Sequence, residues 1–285
     1  MIPLHWKDIA KGHTAVCIFG GPSVDSYPSV NDLVQTNFTV TVNRNIESFP
    51  DVDMFITGDN LIAREYLEDG EFHIHPFKGG KLTINSAQFS FNPQPVWISG
   101  KRSLLREDLI KIVACNTHPC YNFNLGTGQL YLQHGIEYSK KIPNLKLCVE
   151  HRDFNTSESW PTLSTSIPET VQTYGTDPMD FISGGNISSI VFQLLFYMGF
   201  EKVVTLGYGD EGTSRGYQTP SNFDWSVEEL HAMEVHLLKW GDRIGSLTGG
   251  EYCRKYFDFN SFLDRDLEKT PVKKQLLKEK LVNGN

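Results

Sequence analysis

Small polar residues stand directly before one of the most apolar runs in the chain, in the sequence FISGGNISSIVFQLLFYMG over residues 181–199. The apolar run predicts a helix. The first N–H groups of a helix have no partner within it and readily bind anions, phosphate above all. Serine and asparagine also serve as ordinary helix caps, which leaves a structural interpretation open. We take the pattern as predicting an anion site formed by Ser183, Gly184, Gly185 and Asn186.

A second glycine-containing turn, FGGPSVD, follows the first strand-like run of the chain. Gly20 and Gly21 let the backbone approach a ligand closely, Pro22 stiffens the turn, and Ser23 offers a hydroxyl where a helix should begin. The same residues would also make a plain strand-to-helix turn. Because ligands of open α/β sheets bind beyond the carboxyl ends of the strands, the position of this turn favours ligand binding.

Polar side chains also end the second and third strand-like runs. Asn43, Arg44 and Asn45 follow the second run, and Asp59 with Asn60 follows the third. Parallel strands would bring these residues to one edge of a sheet, where amides suit a nucleotide base and a carboxylate suits ribose hydroxyls. Each residue taken singly is equally well explained as an ordinary polar loop residue.

Three side chains are candidates for proton transfer or ligand orientation. Asp210 ends the sequence GYGD after a strand-like run, where an ordinary turn aspartate would look the same. Glu234 lies on the apolar stripe of a helix predicted over residues 226–240, so it needs an ion-pair partner or faces a cleft. His231 lies at the edge of that stripe, and His236 is predicted on the side away from Glu234.

No metal site is predicted. The Asp-x-Asp sequence at residues 51–53 could clamp a metal, but it precedes its strand, so we interpret it as a surface turn. His73 and His75, with His118 and Cys120, have a spacing that is unspecific for zinc. The chain also lacks the pattern GxxxxGK[ST], and this absence weakens assignment as a P-loop ATPase.

The order of these segments predicts the fold class. Strands separated by loops and helices indicate an α/β protein with a Rossmann-like, mostly parallel sheet and helices on both faces. We predict one nucleotide-binding domain over residues 1–265, in which residues 151–180 form a loop-rich lid. Residues 266–285 are predicted as a C-terminal helix and tail, which docks on its own domain or on a second copy. The main predicted strands cover residues 14–19, 37–43, 51–59, 111–116, 145–151 and 203–206.

Composition narrows the partners and the compartment. The 285 residues carry a formal net charge of −8, which argues against nucleic acid but leaves a small anionic ligand open. No run approaches the ~18–20 apolar residues that span a bilayer, and the first residues lack a signal-peptide core, so a soluble, cytoplasmic protein is expected. The five cysteines form no CxxC pair and are expected to be buried thiols.

The quoted segments are similar to those of a known family. GGPS, VNRN, MFITGD, and SGG with its apolar helix and MGFEKVVTLGYGD resemble the family 42 sialyltransferases and the related 6-hydroxymethylpterin diphosphokinase-like proteins. The resemblance covers residues 14–60 and 181–240. It implies a Rossmann-like fold and a catalyst that needs no metal. It further implies that the nucleotide contacts Gly20, Gly21, Ser23, Asn43 and Ser183, and that Tyr217 reaches a phosphate.

The chain departs from the family at the catalytic base. The family has a histidine just before the helix that begins near Ser226, and Asp224 and Trp225 precede that residue here. The nearest histidine, His231, lies within the helix. A nucleotide-contacting asparagine of the family's first turn is replaced by Gly20. These differences put transfer of sialic acid itself in question and leave nucleotide binding as the firmer expectation.

The expected function is transfer of a sugar from a nucleotide-activated donor, of the CMP-sialic acid type by resemblance, to an acceptor alcohol or glycan. Direct displacement of the nucleotide phosphate needs no protein nucleophile, and Asp210 or His231 would deprotonate the acceptor. No tightly bound cofactor is expected, and a homo-oligomer is possible. Two alternatives stay open: an ATP- and Mg²⁺-dependent diphosphokinase of a pterin-like alcohol, with Asp59 and Asp210 as metal ligands, and a non-catalytic nucleotide-binding protein.

Overall fold

The computed structural model describes the sheet and its principal helices, and part of the candidate site. Residues 152–180, which form nearly all of the predicted lid, lie outside the described part. So do seven candidate residues: Ser183, Gly184, Gly185, Asn186, Tyr217, His231 and Glu234. The described residues are 1–74, 80–84, 87–91, 96–116, 130–151, 181–182, 187–210, 236–237, 239–267 and 270–283.

One sheet of ten strands dominates the described residues, and all of its pairings are parallel. Its strands are β1 Thr14–Ile18, β2 Phe38–Val42, β3 Met54–Thr57, β8 Ile110–Asn116, β9 Leu130–Tyr131, β10 Leu145–His151, β11 Phe181–Ile182, β12 Lys202–Tyr208, β13 Ile244–Gly249 and β14 Asn260–Ser261. Two antiparallel pairs stand apart from it: β4 Glu71–Ile74 with β7 Val96–Ser99, and β5 Gly80–Ile84 with β6 Ala87–Phe91. The predicted α/β class with a mostly parallel sheet is confirmed.

The strand order reverses beside β1. The sheet runs β11-β10-β8-β3-β2-β1-β12-β13-β14, with β9 paired to β8. Ala15 of β1 pairs with Phe38 of β2 on one side and with Val203 of β12 on the other. The chain therefore builds outward from β1 in one direction and then returns to build in the other. In parallel sheets such a reversal opens a crevice at the carboxyl ends of the two strands.

Helices of the described residues cover both faces of the sheet. Alternate residues of β1 belong to different cores: Cys17 packs in one and Ile18 in the other. Phe192 and Leu277 pack in the core of Cys17, whereas Tyr66 packs in that of Ile18. The helices are α1 Val30–Thr36, α2 Asn60–Leu67, α3 Leu132–Lys141, α4 Ile187–Tyr197, α5 Glu251–Tyr256 and α6 Pro271–Asn283, and residues 236–237 and 239–240 are helical as well.

Helix α4 is the predicted apolar helix. Ile190, Val191 and Phe192 lie on different sides of it, yet all are buried, as an all-round apolar sequence requires. Its buried polar residue Gln193 donates a hydrogen bond to the Ser189 carbonyl oxygen at 2.9 Å. Among the described residues, no helix combines the length and apolar composition needed to cross a membrane.

The C-terminal helix α6 packs on the chain's own core. Leu277 and Leu281 are each 1% exposed. Lys274 Nζ lies 3.0 Å from Asp53 Oδ2, and the same oxygen accepts a hydrogen bond from the Thr39 N–H at 2.8 Å. The interpretation of residues 51–53 as a surface turn is therefore wrong for Asp53, which is 1% exposed at the amino-terminal end of β3. Its carboxylate is buried because α6 covers it with a cation.

Four of the five cysteines lie in the described residues. Cys17, Cys115, Cys148 and Cys253 are buried thiols. Burial raises the pKa of the Cys17 thiol and raises that of Cys253 to about 12, because an apolar surrounding disfavours the thiolate. The prediction of buried thiols is confirmed for these four residues.

Candidate functional site

The loops after β1 and β12 are tied together at the reversal point. The Phe19 N–H donates to the Leu206 carbonyl oxygen at 2.8 Å, which continues the β1–β12 pairing. The Gly21 N–H then donates to the Gly207 carbonyl oxygen at 2.9 Å. Gly207 has a φ of +66°, a conformation that glycine adopts without strain. The GGPS turn therefore crosses directly over the end of β12.

Ser23 and Asp210, both predicted site residues, are in contact. The Ser23 N–H donates to Asp210 Oδ2 at 2.8 Å, and Ser23 Oγ donates to Asp210 Oδ1 at 2.8 Å. Ser23 belongs to the 3-10 helix Pro22–Ser26, so the carboxylate satisfies an N–H group of its first turn. The serine thus has a protein partner for both donors. Direct contact of Ser23 with a nucleotide stays a prediction.

The Asp210 carboxylate occupies space that is open only because Gly21 and Gly249 have no side chains. A Cβ added at Gly21 would lie 2.3 Å from Asp210 Oδ2, although the Gly21 backbone, with φ −69°, is open to any residue. A Cβ added at Gly249 would lie 2.0 Å from Asp210 Oδ1, and its φ of +79° also favours glycine. The close backbone approach predicted for Gly21 is therefore made to the protein's own Asp210. Gly20 and Pro22 complete the same turn, and their contact with a ligand stays a prediction.

A third loop of this cluster follows β13 and was not predicted from the sequence. Arg254 Nη1 donates to the Gly249 carbonyl oxygen at 3.1 Å, and Arg254 Nη2 donates to Ser246 Oγ at 2.8 Å. Ser246 Oγ itself donates to the Gly249 carbonyl oxygen at 3.0 Å. The arginine thus fixes the loop that faces Asp210. The paired glycines in LTGG, directly after a strand-like run, are the signal that could have revealed this loop.

Asn43 and Thr57 meet at the carboxyl ends of β2 and β3. Asn43 has a φ of +51°, which is uncommon for a residue other than glycine. Thr57 Oγ1 donates to Asn43 Oδ1 at 2.9 Å and accepts from the Asp59 N–H at 3.3 Å. The neighbouring Asn45 donates from Nδ2 to the Ile18 carbonyl oxygen at 3.0 Å and so ties the β2 loop to β1.

Arg44 and Asp59 are held by helix α2. Arg44 Nε lies 3.0 Å from Glu65 Oε2, and the arginine side chain is 40% exposed. Asp59 Oδ1 accepts hydrogen bonds from the N–H groups of Leu61 at 2.7 Å and Ile62 at 3.2 Å, so Asp59 caps α2. Burial raises the pKa of Asp59, although the two N–H groups oppose the shift. Contact of either residue with a ligand stays a prediction.

The start of α4 lies at the same edge as these loops. A Cβ added at Gly58, directly after β3, would lie 3.3 Å from Ile187 Cδ1. Ser188 Oγ lies 3.1 Å from Tyr208 Oη, and the Tyr208 ring packs 4.7 Å from that of Phe19. Residues 183–186 immediately precede this first described turn of α4. The predicted anion site itself lies outside the described residues.

His236 is buried among aromatic rings beside α4. Its ring stacks on Trp240, with centroids 5.2 Å apart, and meets Phe192 edge-on at 5.7 Å. Neither ring nitrogen has a hydrogen-bond partner among the described residues. Burial, with a smaller contribution from Lys239, lowers the pKa of His236 to about 3. The sequence pattern did not identify this histidine as a core residue.

Comparison with protein-family models found no match, and comparisons with curated proteins and with solved structures also found none. What the site does must therefore be inferred from its residues. Among the described residues, no group of three or more histidine, cysteine, aspartate or glutamate side chains could hold a metal ion. The edge offers glycine-lined backbone and the half-buried amide of Asn43, which suit a polar organic ligand.

Proposed function

We propose that the chain is a glycosyltransferase that binds a nucleotide-activated sugar, of the CMP type, at the carboxyl ends of β1 and β12. The observation that carries this proposal is the reversal of strand order beside β1. Part of this sheet, β3-β2-β1-β12-β13-β14, follows the strand order of Rossmann-like nucleotide-binding sheets, which supports the proposal, while β8, β10 and β11 extend the sheet beyond β3. The Ser23–Asp210 contact supports the same location, because it joins the loops on the two sides of the crevice.

The leaving phosphate is proposed to bind at residues 183–186. Support comes from the first described turn of α4, where Ile187 lies beside Gly58 and Ser188 contacts Tyr208. A helix of this length presents unpaired N–H groups at its start, which stabilise the negative charge that develops on a departing phosphate. The Ser188 and Tyr208 hydroxyls are buried and contact each other, so they hold this turn of α4 against the end of β12.

We propose that His231 is the base that removes the proton of the acceptor hydroxyl. Glu234 is the second candidate for this role. Both oxygens of Asp210 accept hydrogen bonds from Ser23, which supports a role in shaping the loops rather than in proton removal. Asp59 is engaged as the cap of α2, which supports a structural role in the same way. In this proposal the sugar passes directly from the nucleotide phosphate to the acceptor oxygen.

Release of nucleotide from a panel of CMP-, UDP- and GDP-sugars tests the activity. We expect release from a CMP-sugar by the full chain, and loss of at least ~100-fold in rate in His231→Gln, as for removal of a general base. His5→Gln, at an exposed position, is the matched control. Silence of the wild-type chain with all donors contradicts the proposal. AMP formed from ATP and a pterin-like alcohol only with Mg²⁺ would point to a diphosphokinase instead.

A further inference from the structure

Asn43 is held with its side-chain carbonyl oxygen turned toward the protein. Thr57 Oγ1 lies 2.9 Å from Asn43 Oδ1 and 3.3 Å from the Asp59 nitrogen. Thr57 is fully buried, at 0% exposure, whereas Asn43 is half-buried. The buried threonine therefore holds, by a hydrogen bond, a side chain that is partly exposed at the edge of the sheet.

The hydrogens on this chain of contacts can be assigned. The Asp59 N–H can only donate, so the Thr57 oxygen is its acceptor and the single hydroxyl hydrogen is left for Asn43. That hydrogen needs an acceptor, which Asn43 Oδ1 provides. With the amide turned over, the Asn43 NH₂ group would face Thr57, and the hydroxyl hydrogen would lose Asn43 Oδ1 as its acceptor. In the observed orientation the Asp59 N–H, the Thr57 hydroxyl and Asn43 Oδ1 each have a partner.

The opposite end of the amide is then a hydrogen-bond donor of fixed position. Asn43 Nδ2 makes no hydrogen bond to any described residue, and its backbone is held at φ +51°. Asparagine adopts this left-handed conformation more readily than most residues, and the Thr57 contact then fixes the orientation of its amide. The NH₂ group lies at the carboxyl end of β2, next to β1, where the proposed nucleotide binds.

We propose that Thr57 is a positioning residue that fixes the Asn43 NH₂ group as a donor, so that this point of the site selects a hydrogen-bond acceptor oxygen of the nucleotide. The inference rests on the proposed nucleotide site. The acceptor oxygen belongs either to the base carbonyl or to the phosphate, since both are acceptors only.

Binding of CMP, cytidine and inorganic phosphate, measured by calorimetry, tests the inference. We expect Thr57→Val, which has nearly the same shape but no hydroxyl, to weaken CMP binding about 3- to 10-fold, the effect of one neutral hydrogen bond. Asn43→Asp, which presents only acceptors, should weaken it at least about 10-fold. Thr57→Ser restores the hydroxyl and should recover most of the affinity. A fall in cytidine affinity locates the acceptor on the base, and a fall in phosphate affinity locates it on the phosphate.

The control is Thr205→Val, the same change at a buried threonine whose hydroxyl donates to the Gly245 carbonyl oxygen at 3.1 Å. It should leave CMP affinity unchanged. If wild-type chain binds CMP and Thr57→Val binds it equally well, the inference is overturned while the nucleotide site stands. Equal loss in Thr57→Val and Thr57→Ser also overturns it, because the hydroxyl would then be irrelevant. If the wild-type chain binds none of the three probes, the nucleotide site fails and the inference fails with it.

Discussion

Ser23 and Asp210 lie 187 positions apart in the sequence, yet both oxygens of the aspartate accept hydrogen bonds from the serine, each at 2.8 Å. This contact closes the loops after β1 and β12 over one another. The two residues meet because the chain returns to β1 only after it has formed six of the ten strands on the other side of β1. A residue pair so placed stabilises the fold and the proposed ligand site together.

Replacing Asp210 with asparagine should destabilise the protein. Asp210→Asn can keep both contacts, because its oxygen accepts from the Ser23 N–H and its NH₂ group donates to Ser23 Oγ, but both hydrogen bonds lose the negative charge that strengthens them. Replacing two charge-assisted hydrogen bonds with neutral ones at a half-buried position should lower the free energy of unfolding by about 1–3 kcal/mol. Urea denaturation measures the change. Asp258→Asn, at an exposed aspartate, should change it little; equal effects of the two substitutions would contradict the role assigned to Asp210.

Two glycines with the same backbone angle separate conformational strain from steric overlap. Gly249 has φ +79° and would place a Cβ 2.0 Å from Asp210 Oδ1, whereas Gly12 has φ +80° and nothing within 4 Å of its added Cβ. Gly12→Ala should cost about 1 kcal/mol of stability from the left-handed backbone alone. Gly249→Ala should cost at least about 1–3 kcal/mol more, because the Asp210 carboxylate must move. Thermal and urea unfolding of both variants test this, and equal losses would mean that the Gly249 loop yields freely.

The central strands could be predicted because their local sequence alone favours the strand conformation. Predicted strands over residues 14–19 and 37–43 correspond to β1 at Thr14–Ile18 and β2 at Phe38–Val42. Both are continuous runs of apolar and β-branched residues, which only a strand buried on both faces accommodates. Turn composition likewise marked Gly21, Ser23 and Asp210 as notable. The residues next to these three in the sequence were sufficient to single them out.

Contacts between distant segments could not be predicted in this way. Asp53 is buried because α6 packs over it and brings Lys274 to its carboxylate. The sequence around residue 53 does not indicate that this distant helix packs there. His236 lies one helical turn before Trp240, so the two share a face, but the stripe drawn from apolar residues alone excluded it. The Thr57–Asn43 contact depends on the register of β2 against β3, which pairs Val42 with Ile56. The register of neighbouring strands and the packing of a helix on the sheet depend on the assembled fold, so the local sequence does not reveal them.

The Asp53–Lys274 contact should anchor α6. Lys274→Met leaves the Asp53 carboxylate buried, with Lys278 Nζ only at 4.0 Å, and should lower the free energy of unfolding by about 3–5 kcal/mol. The double variant Asp53→Asn with Lys274→Met should lose less than the sum of the single changes, because neither charge is then stranded. Lys280→Met, on the exposed side of α6, is the control and should change little. Additive losses in the double-mutant cycle would show that the two charges do not interact.

His236 should make the protein less stable in acid. Burial lowers its pKa to about 3 from an ordinary value of 6.5, so between these pH values the unfolded chain binds a proton that the folded chain does not. The unfolded state is then favoured as the pH falls, and the contribution of the neutral ring, complete above pH 6.5, is lost progressively toward pH 3. The free energy of unfolding changes by at most about 1.4 kcal/mol per pH unit through this one histidine.

The variant His236→Phe tests this. Phenylalanine keeps a ring between Phe192 and Trp240 but cannot be protonated, so the free energy of unfolding of this variant, measured by urea titration, should fall less between pH 7 and pH 5 than that of the wild type. Carboxylates contribute equally to both proteins, which makes the difference between them specific to this side chain. His5→Gln, at an exposed histidine, should follow the wild type, and a variant curve parallel to the wild-type curve would show that His236 is not held neutral by the fold.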